Sequence, residues 1–175
     1  MFEQKLEELF RKYKNDIFIE TGTFRGNGIQ IALNAEYKNI FSIEIEKCLY
    51  DAVKNKFGCN VKIYNGSSLE ILPNILEDIN TRVTFWLDAH FGPNTNDVNK
   101  CVPLLKELEI IGKHKIKNHT IIIDDVTQFG KHIIWSEITM ENVTNSIKNI
   151  NSNYEIELID IKSDRKNDIL VAFCE

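Results

Sequence analysis

Ile17 to Leu33 reads IFIETGTFRGNGIQIAL: a short apolar run ends in a turn holding three glycines, after which apolar residues return at helical spacing in Ile29, Ala32 and Leu33, with Ile31 between them. Strand, tight turn and helix make the first half of a βαβ unit. Gly22 follows the strand directly, where a sharp turn calls for a positive φ, while Gly26 and Gly28 leave room for a ligand or a closely packed helix. Such a turn usually takes a nucleotide-like ligand at the helix N-terminus. Glu20 at the strand end argues against a phosphate, because a carboxylate beside a helix N-terminus repels an anion. It suits a ligand with a cationic group.

Working outward, 175 residues at 43% hydrophobic fit one domain over 1–175, opened by an amphipathic helix over 1–15 in which Phe2, Leu6, Leu9, Phe10 and Tyr13 recur at helical spacing. That helix is expected to pack on the sheet edge or to cover part of the site. A net charge of −5 argues against a broad phosphate-neutralising face, so no nucleic-acid partner is expected. Cys48, Cys59, Cys101 and Cys174 are widely spaced, without a CxxC pair or a histidine at zinc spacing, and read as reduced thiols. The first residues are charged and helical in pattern rather than a signal peptide, and no run reaches the length of a membrane span. A cytoplasmic protein with no membrane partner is expected; the oligomeric state stays open.

Further strands follow, most of them ending in acidic residues. The run from Asn39 ends at Glu44, with Glu46 opening a helix over Lys47 to Phe57. In doubly wound sheets a carboxylate at the second strand end can accept both hydroxyls of a ribose, which assigns Glu44. The third strand closes in Asn65-Gly66-Ser67-Ser68, where Ser67 or Ser68 is the N-cap of a helix containing Pro73 near its start. Val83 to Leu87 reads as a central strand followed by Asp88 and His90, and HTIIIDDV as a fifth strand followed by Asp124 and Asp125. Parallel strands bring their C-terminal ends to one edge, so Glu20, Glu44, Asp88, His90, Asp124 and Asp125 should gather there. Three neighbouring carboxylates repel unless protonated, solvated or bound to a cation, and an oxygen-only set suits Mg²⁺, Mn²⁺ or Ca²⁺. His90 could take a proton near neutral pH, or be a structural histidine.

Gly92 to Asn99 reads as a turn-rich loop over this edge, a lid, an acceptor-binding loop or a plain connection. Phe129, His132 and Trp135 supply aromatic groups that could stack on an acceptor ring or join the core. A helix over SEITMENVTNSIKNI, two strands in YEIELIDI and DILVAFCE, and a polar hairpin turn over Lys162 to Asn167 complete the chain. The expectation is an α/β Rossmann-like sheet of seven strands, mostly parallel, with an antiparallel C-terminal hairpin and helices on both faces.

As an ordered set, Glu20 with its glycine turn, Glu44, Asp88-Ala89-His90 and Asp124-Asp125 resemble the class I S-adenosylmethionine-dependent methyltransferases. They are similar within that class to the metal-dependent O-methyltransferases of the caffeoyl-CoA and macrocin or sugar types. The resemblance spans roughly residues 17 to 126. It implies S-adenosylmethionine held by Glu20, Gly22, Thr23, Gly26, Glu44, Ser67, Ser68 and Asp88, and Mg²⁺ or Mn²⁺ held by Asp88, Asp124 and Asp125. It also implies a base at His90 acting with Asp88 on the hydroxyl of a sugar or other small acceptor. Phe24 stands where many relatives have glycine, and His90 where many have aspartate. Alternatives are a phenolic O-methyltransferase, a non-catalytic methyltransferase-like subunit, and an NAD-dependent oxidoreductase. The last is opposed by Glu20 and by Ile31 in place of the final small residue of the dinucleotide fingerprint.

Overall fold

The computed structural model describes residues 2–90, 102–131 and 133–175. Its strands are β1 (Ile17–Thr21), β2 (Asn39–Glu44), β3 (Lys62–Asn65), β4 (Val83–Leu87), β5 (Thr120–Ile123), β6 (Glu155–Ile159) and β7 (Ile169–Phe173). They form one sheet in the order β3-β2-β1-β4-β5-β7-β6. β1 to β5 run parallel, and β7 pairs antiparallel with both β5 and β6. The order reverses between β1 and β4, so the C-terminal ends of these two strands open the crevice where ligands of doubly wound sheets sit.

Around the sheet lie α1 (Phe2–Lys12), α2 (Asn27–Asn34), α3 (Lys47–Phe57), α4 (Ser68–Glu77), α5 (Leu104–Lys113) and α6 (Met140–Ile150). Alternation along β1 sends Ile19 into one core and Phe18 into the other. The first core packs Leu72 of α4, Leu108 of α5 and Ile147 of α6. The second packs Phe10 of α1, Ile29 of α2 and Val53 of α3. With apolar layers on both faces, β4 and β5 are buried throughout, which is why VTFWL and TIII lack a polar alternation.

Ser67 is the N-cap of α4, its hydroxyl accepting from Leu69 N at 3.3 Å. Pro73 lies beyond the first turn, past the positions whose N–H groups go unpaired, and so removes a bond to the Leu69 carbonyl. Among the described residues no helix is long and apolar enough to cross a membrane. Cys48 and Cys59 are exposed free thiols and Cys174 a buried one; Cys101 lies outside the described residues.

At the opposite edge of the sheet two buried histidines make a relay whose tautomers can be deduced. The Ile79 carbonyl can only accept, so His114 Nε2, 3.0 Å away, donates, and its Nδ1 accepts from His119 Nε2 at 2.9 Å. His119 Nδ1 is then free to accept the Val83 N–H at 3.1 Å. Protonating His119 would aim two donors at each other, and burial pushes its pKa down to about 4. The unfolded chain, with an ordinary histidine, binds the proton first. Stability is therefore expected to fall by about 3 kcal/mol as pH drops from about 6.5 to about 4, and to level off below. Urea midpoints across this range check it. His119→Gln should show a shallower acid slope than the wild type, and equal slopes would remove the relay as the cause.

Candidate active site

The site grows from the β1 end. Gly22 has φ 84° and Gly26 φ 77°, as a turn this tight requires. A Cβ at Gly22 would lie 2.6 Å from the Asp88 carbonyl oxygen, and Asp88 N donates to the Thr21 carbonyl at 3.1 Å. The glycine turn and the end of β4 are thus in direct backbone contact. A Cβ at Gly26 would meet the Phe57 ring at 2.6 Å, and one at Gly28 would overlap the Glu20 carboxyl. Of the two roles open to these glycines, close packing is the one on view.

Glu20 pairs in register with Ser42 and Trp86 and is buried beneath α2. Its carboxyl accepts from the Ser42 hydroxyl, which leaves Thr23 to donate to Ser42, so the three form one buried chain. Burial raises the Glu20 pKa to about 8, leaving it neutral at pH 7. The structure places both Glu20 and Thr23 in the buried layer, where their side chains support the turn from below.

Glu44 holds the turn from the side. One oxygen accepts Phe24 N at 2.7 Å and the other Glu46 N at 2.8 Å, with lone pairs left over for further donors. Phe24, at φ 48°, and Ile45 flank this carboxylate and are 57% and 50% exposed. Two large apolar groups presented to solvent beside an acceptor of hydroxyl donors suit a nucleoside, with an apolar base and a polar ribose. Ile45 was missed from sequence; an apolar residue between Glu44 and Glu46 was the available signal. Ser67 spends its hydroxyl on the cap, and Ser68 is buried.

On the other side of Asp88 the charged groups converge. His90 Nε2 lies 3.2 Å from Asp125 Oδ2 and 3.9 Å from Asp88 Oδ1. Asp88, His90 and Asp125 can bring one ligand atom each to within 4.8 Å of the others. Asp124 does not join them. Both of its oxygens are held by Lys162 Nζ, at 2.9 and 3.2 Å, and Oδ1 also accepts Asp125 N at 2.7 Å. Lys162 reaches Asp125 Oδ1 as well, at 3.2 Å, beside Arg165 at 3.3 Å. The expected cage of Asp88, Asp124 and Asp125 around a divalent ion does not fit this donor set, because two side-chain cations from the β6–β7 turn already face the pair.

The electrostatics agree. The bond to His90 holds Asp125 down to about 2, and the same bond raises His90 above its ordinary value. Burial, then the charge of Asp124, raises Asp88 well above its ordinary value. Asp124 is raised by burial against the pull of Lys162. Burial lowers Lys162, but the charges of Asp124 and Asp125 outweigh it and leave the ammonium firmly protonated.

Asp88, His90, Asp124, Trp135 and the buried Glu107 of α5 line a small cavity here. Burial raises Glu107 to about 7, opposed by the Ser68 and Thr21 hydroxyls. The signal for it was a glutamate on the apolar stripe of Leu104, Leu108 and Ile111. Trp135 stands 5.8 Å from the His90 ring and stacks on Phe129 at 6.0 Å. Cavity lining and core packing are thus both true of Trp135. His132 and the Gly92 to Asn99 loop lie outside the described residues.

A sheet of order 3-2-1-4-5-7-6 with its last strand pair antiparallel and a glycine turn after β1 is the class I methyltransferase fold. Solved structures with this fold include an O-methyltransferase from Bacillus cereus in complex with S-adenosylhomocysteine (TM-score 0.67, 14% identity, covering 99% of this chain and 80% of that one). A second is the O-methyltransferase TomG of Streptomyces achromogenes, involved in tomaymycin synthesis and bound to S-adenosylmethionine (0.62, 15%, 98% and 78%). A third, from Staphylococcus aureus, is a caffeoyl-CoA O-methyltransferase by assignment (0.62, 16%, 99% and 82%). No family model matches the chain, and no curated protein matches it in sequence.

Proposed function

We propose that this chain transfers a methyl group from S-adenosylmethionine to a hydroxyl of a small molecule, with a sugar hydroxyl as the preferred acceptor and the cytoplasm as its place of work. The observation that carries the reading is the His90–Asp125 pair standing next to Asp88, whose backbone packs against the glycine turn. The donor would lie over the Gly22 to Gly26 backbone, its ribose on Glu44 and its base between Phe24 and Ile45. When bound it supplies an electrophilic methyl on a sulfonium. Asp125 accepts a hydrogen bond from His90 Nε2–H, which leaves Nδ1 to take the proton of the acceptor hydroxyl as that oxygen attacks the methyl carbon and its bond to sulfur breaks. Phe129 and Trp135 offer aromatic faces beside His90 against which a sugar or phenolic ring can stack.

A second reading, favoured by the gathering of Asp88, His90 and Asp125, places Mg²⁺ or Mn²⁺ on these three. It would occupy the His90 nitrogen that otherwise faces Asp125.

Calorimetry with S-adenosylhomocysteine and with NAD tests the main reading. Saturable binding of the first and none of the second is expected; failure to bind S-adenosylhomocysteine would sink it. Acceptors are then sought as gains of one methyl in a pool of glycans and phenols by mass spectrometry. Turnover unchanged by EDTA supports the first reading, and loss restored by Mg²⁺ or Mn²⁺ establishes the second.

A further inference from the structure

Lys162 is a turn residue to the sequence and a central charge in the structure. We infer that Lys162, with Arg165 beside it, is the resident cation of the acceptor half: a positioning residue that holds Asp124 and Asp125 in place of a divalent ion. The inference rests on the methyltransferase reading only for the name of the site, since its geometry stands by itself.

Four contacts between 2.9 and 3.3 Å join the two side chains to the aspartate pair. Lys162 is also set in position beforehand. The fully buried Asp168 carboxylate accepts Ile161 N at 2.8 Å and Lys162 N at 2.9 Å, and the Asp168 carbonyl accepts Val126 N at 3.2 Å. Asn167 N closes the turn onto Asp160 Oδ1 at 2.6 Å. The backbone that carries Lys162 is therefore tied to the residue that follows Asp125, and the ammonium needs little reordering to meet the carboxylates. Two cations face the two carboxylates of Asp124 and Asp125, so a divalent ion entering here must either expel Lys162 or sit against its charge. With Asp125 Oδ1 engaged by Lys162 and Arg165, Oδ2 is left to His90. Lys162 thus acts on the base through Asp125.

Mn²⁺ titration of the full chain, followed by electron paramagnetic resonance, reads this directly. Lys162→Met, checked by circular dichroism and thermal melting, should bind Mn²⁺ at least about tenfold more tightly than the wild type, because Asp124 is released and a positive charge removed. Lys162→Arg should match the wild type. Equal affinity in the wild type and Lys162→Met would overturn the inference. Lys162→Gln carries the same comparison where the Met variant fails to fold. A parallel titration with S-adenosylhomocysteine keeps the two claims apart: its failure would remove the methyltransferase reading and leave the Mn²⁺ result standing.

Discussion

His90→Ala is expected to lower turnover by about 10²- to 10⁴-fold while S-adenosylhomocysteine binds as in the wild type, since general-base catalysis, the role proposed for His90, contributes on that scale and the proposed donor half is built from other residues. The imidazole has Asp125 on one nitrogen and is half-exposed, so an acceptor can reach the other. Because the bond to Asp125 raises His90 above its ordinary value, and the neutral ring is the proposed base, turnover should rise with pH through an inflection above the ordinary histidine value. Asp125→Asn removes the largest cause of that shift and should move the rise to lower pH. A purely structural role for His90 would leave this inflection in place, and an undiminished turnover in His90→Ala would assign the base elsewhere.

Gly22→Ala is expected to destabilise the chain by roughly 3 kcal/mol and to cost at least about tenfold in S-adenosylhomocysteine affinity. Two effects add. An alanine at φ 84° is strained, and its Cβ would lie 2.6 Å from the Asp88 carbonyl oxygen and 2.9 Å from Ala89 Cα, both backbone atoms that cannot swing away. Gly58 provides the control. Its φ is also positive, at 61° with ψ −130°, but nothing lies within 4 Å of a Cβ there, so Gly58→Ala should show the backbone strain alone, about 2 kcal/mol. Urea midpoints of the two variants measure the difference. Equal losses would show that the contact between the glycine turn and the end of β4 is not what the glycine protects.

Much of the fold was legible because its cause is local. The apolar runs at β1, β4 and β5, the helix periodicities and the acidic strand ends are each visible within about ten residues, and parallel strands then have only one edge at which to collect their polar ends. The seven strands and the antiparallel final pair were readable for the same reason. Repulsion among Asp88, Asp124 and Asp125 calls for a divalent ion when those three are considered alone. The cations that answer it stand some forty residues further on, in a turn whose Lys and Arg look like ordinary solvated charge. No periodicity marks such a residue as facing inward.

Glu20 shows the complementary limit. Its type and place at the strand end are plain, yet whether it meets a ligand depends on which face of the sheet it occupies and on what lies above that face. Gly28, Ser42 and Trp86 enclose it, and burial then leaves it neutral. By itself the sequence determined the elements, their order and the edge where the chemistry gathers, since these follow from side-chain periodicity and chain direction. Only the tertiary structure decided which of the gathered groups are buried supports, which are paired and which stay open, because each is settled by neighbours distant in the chain: Ser42 for Glu20, Phe24 for Glu44, and Lys162 for Asp124 and Asp125.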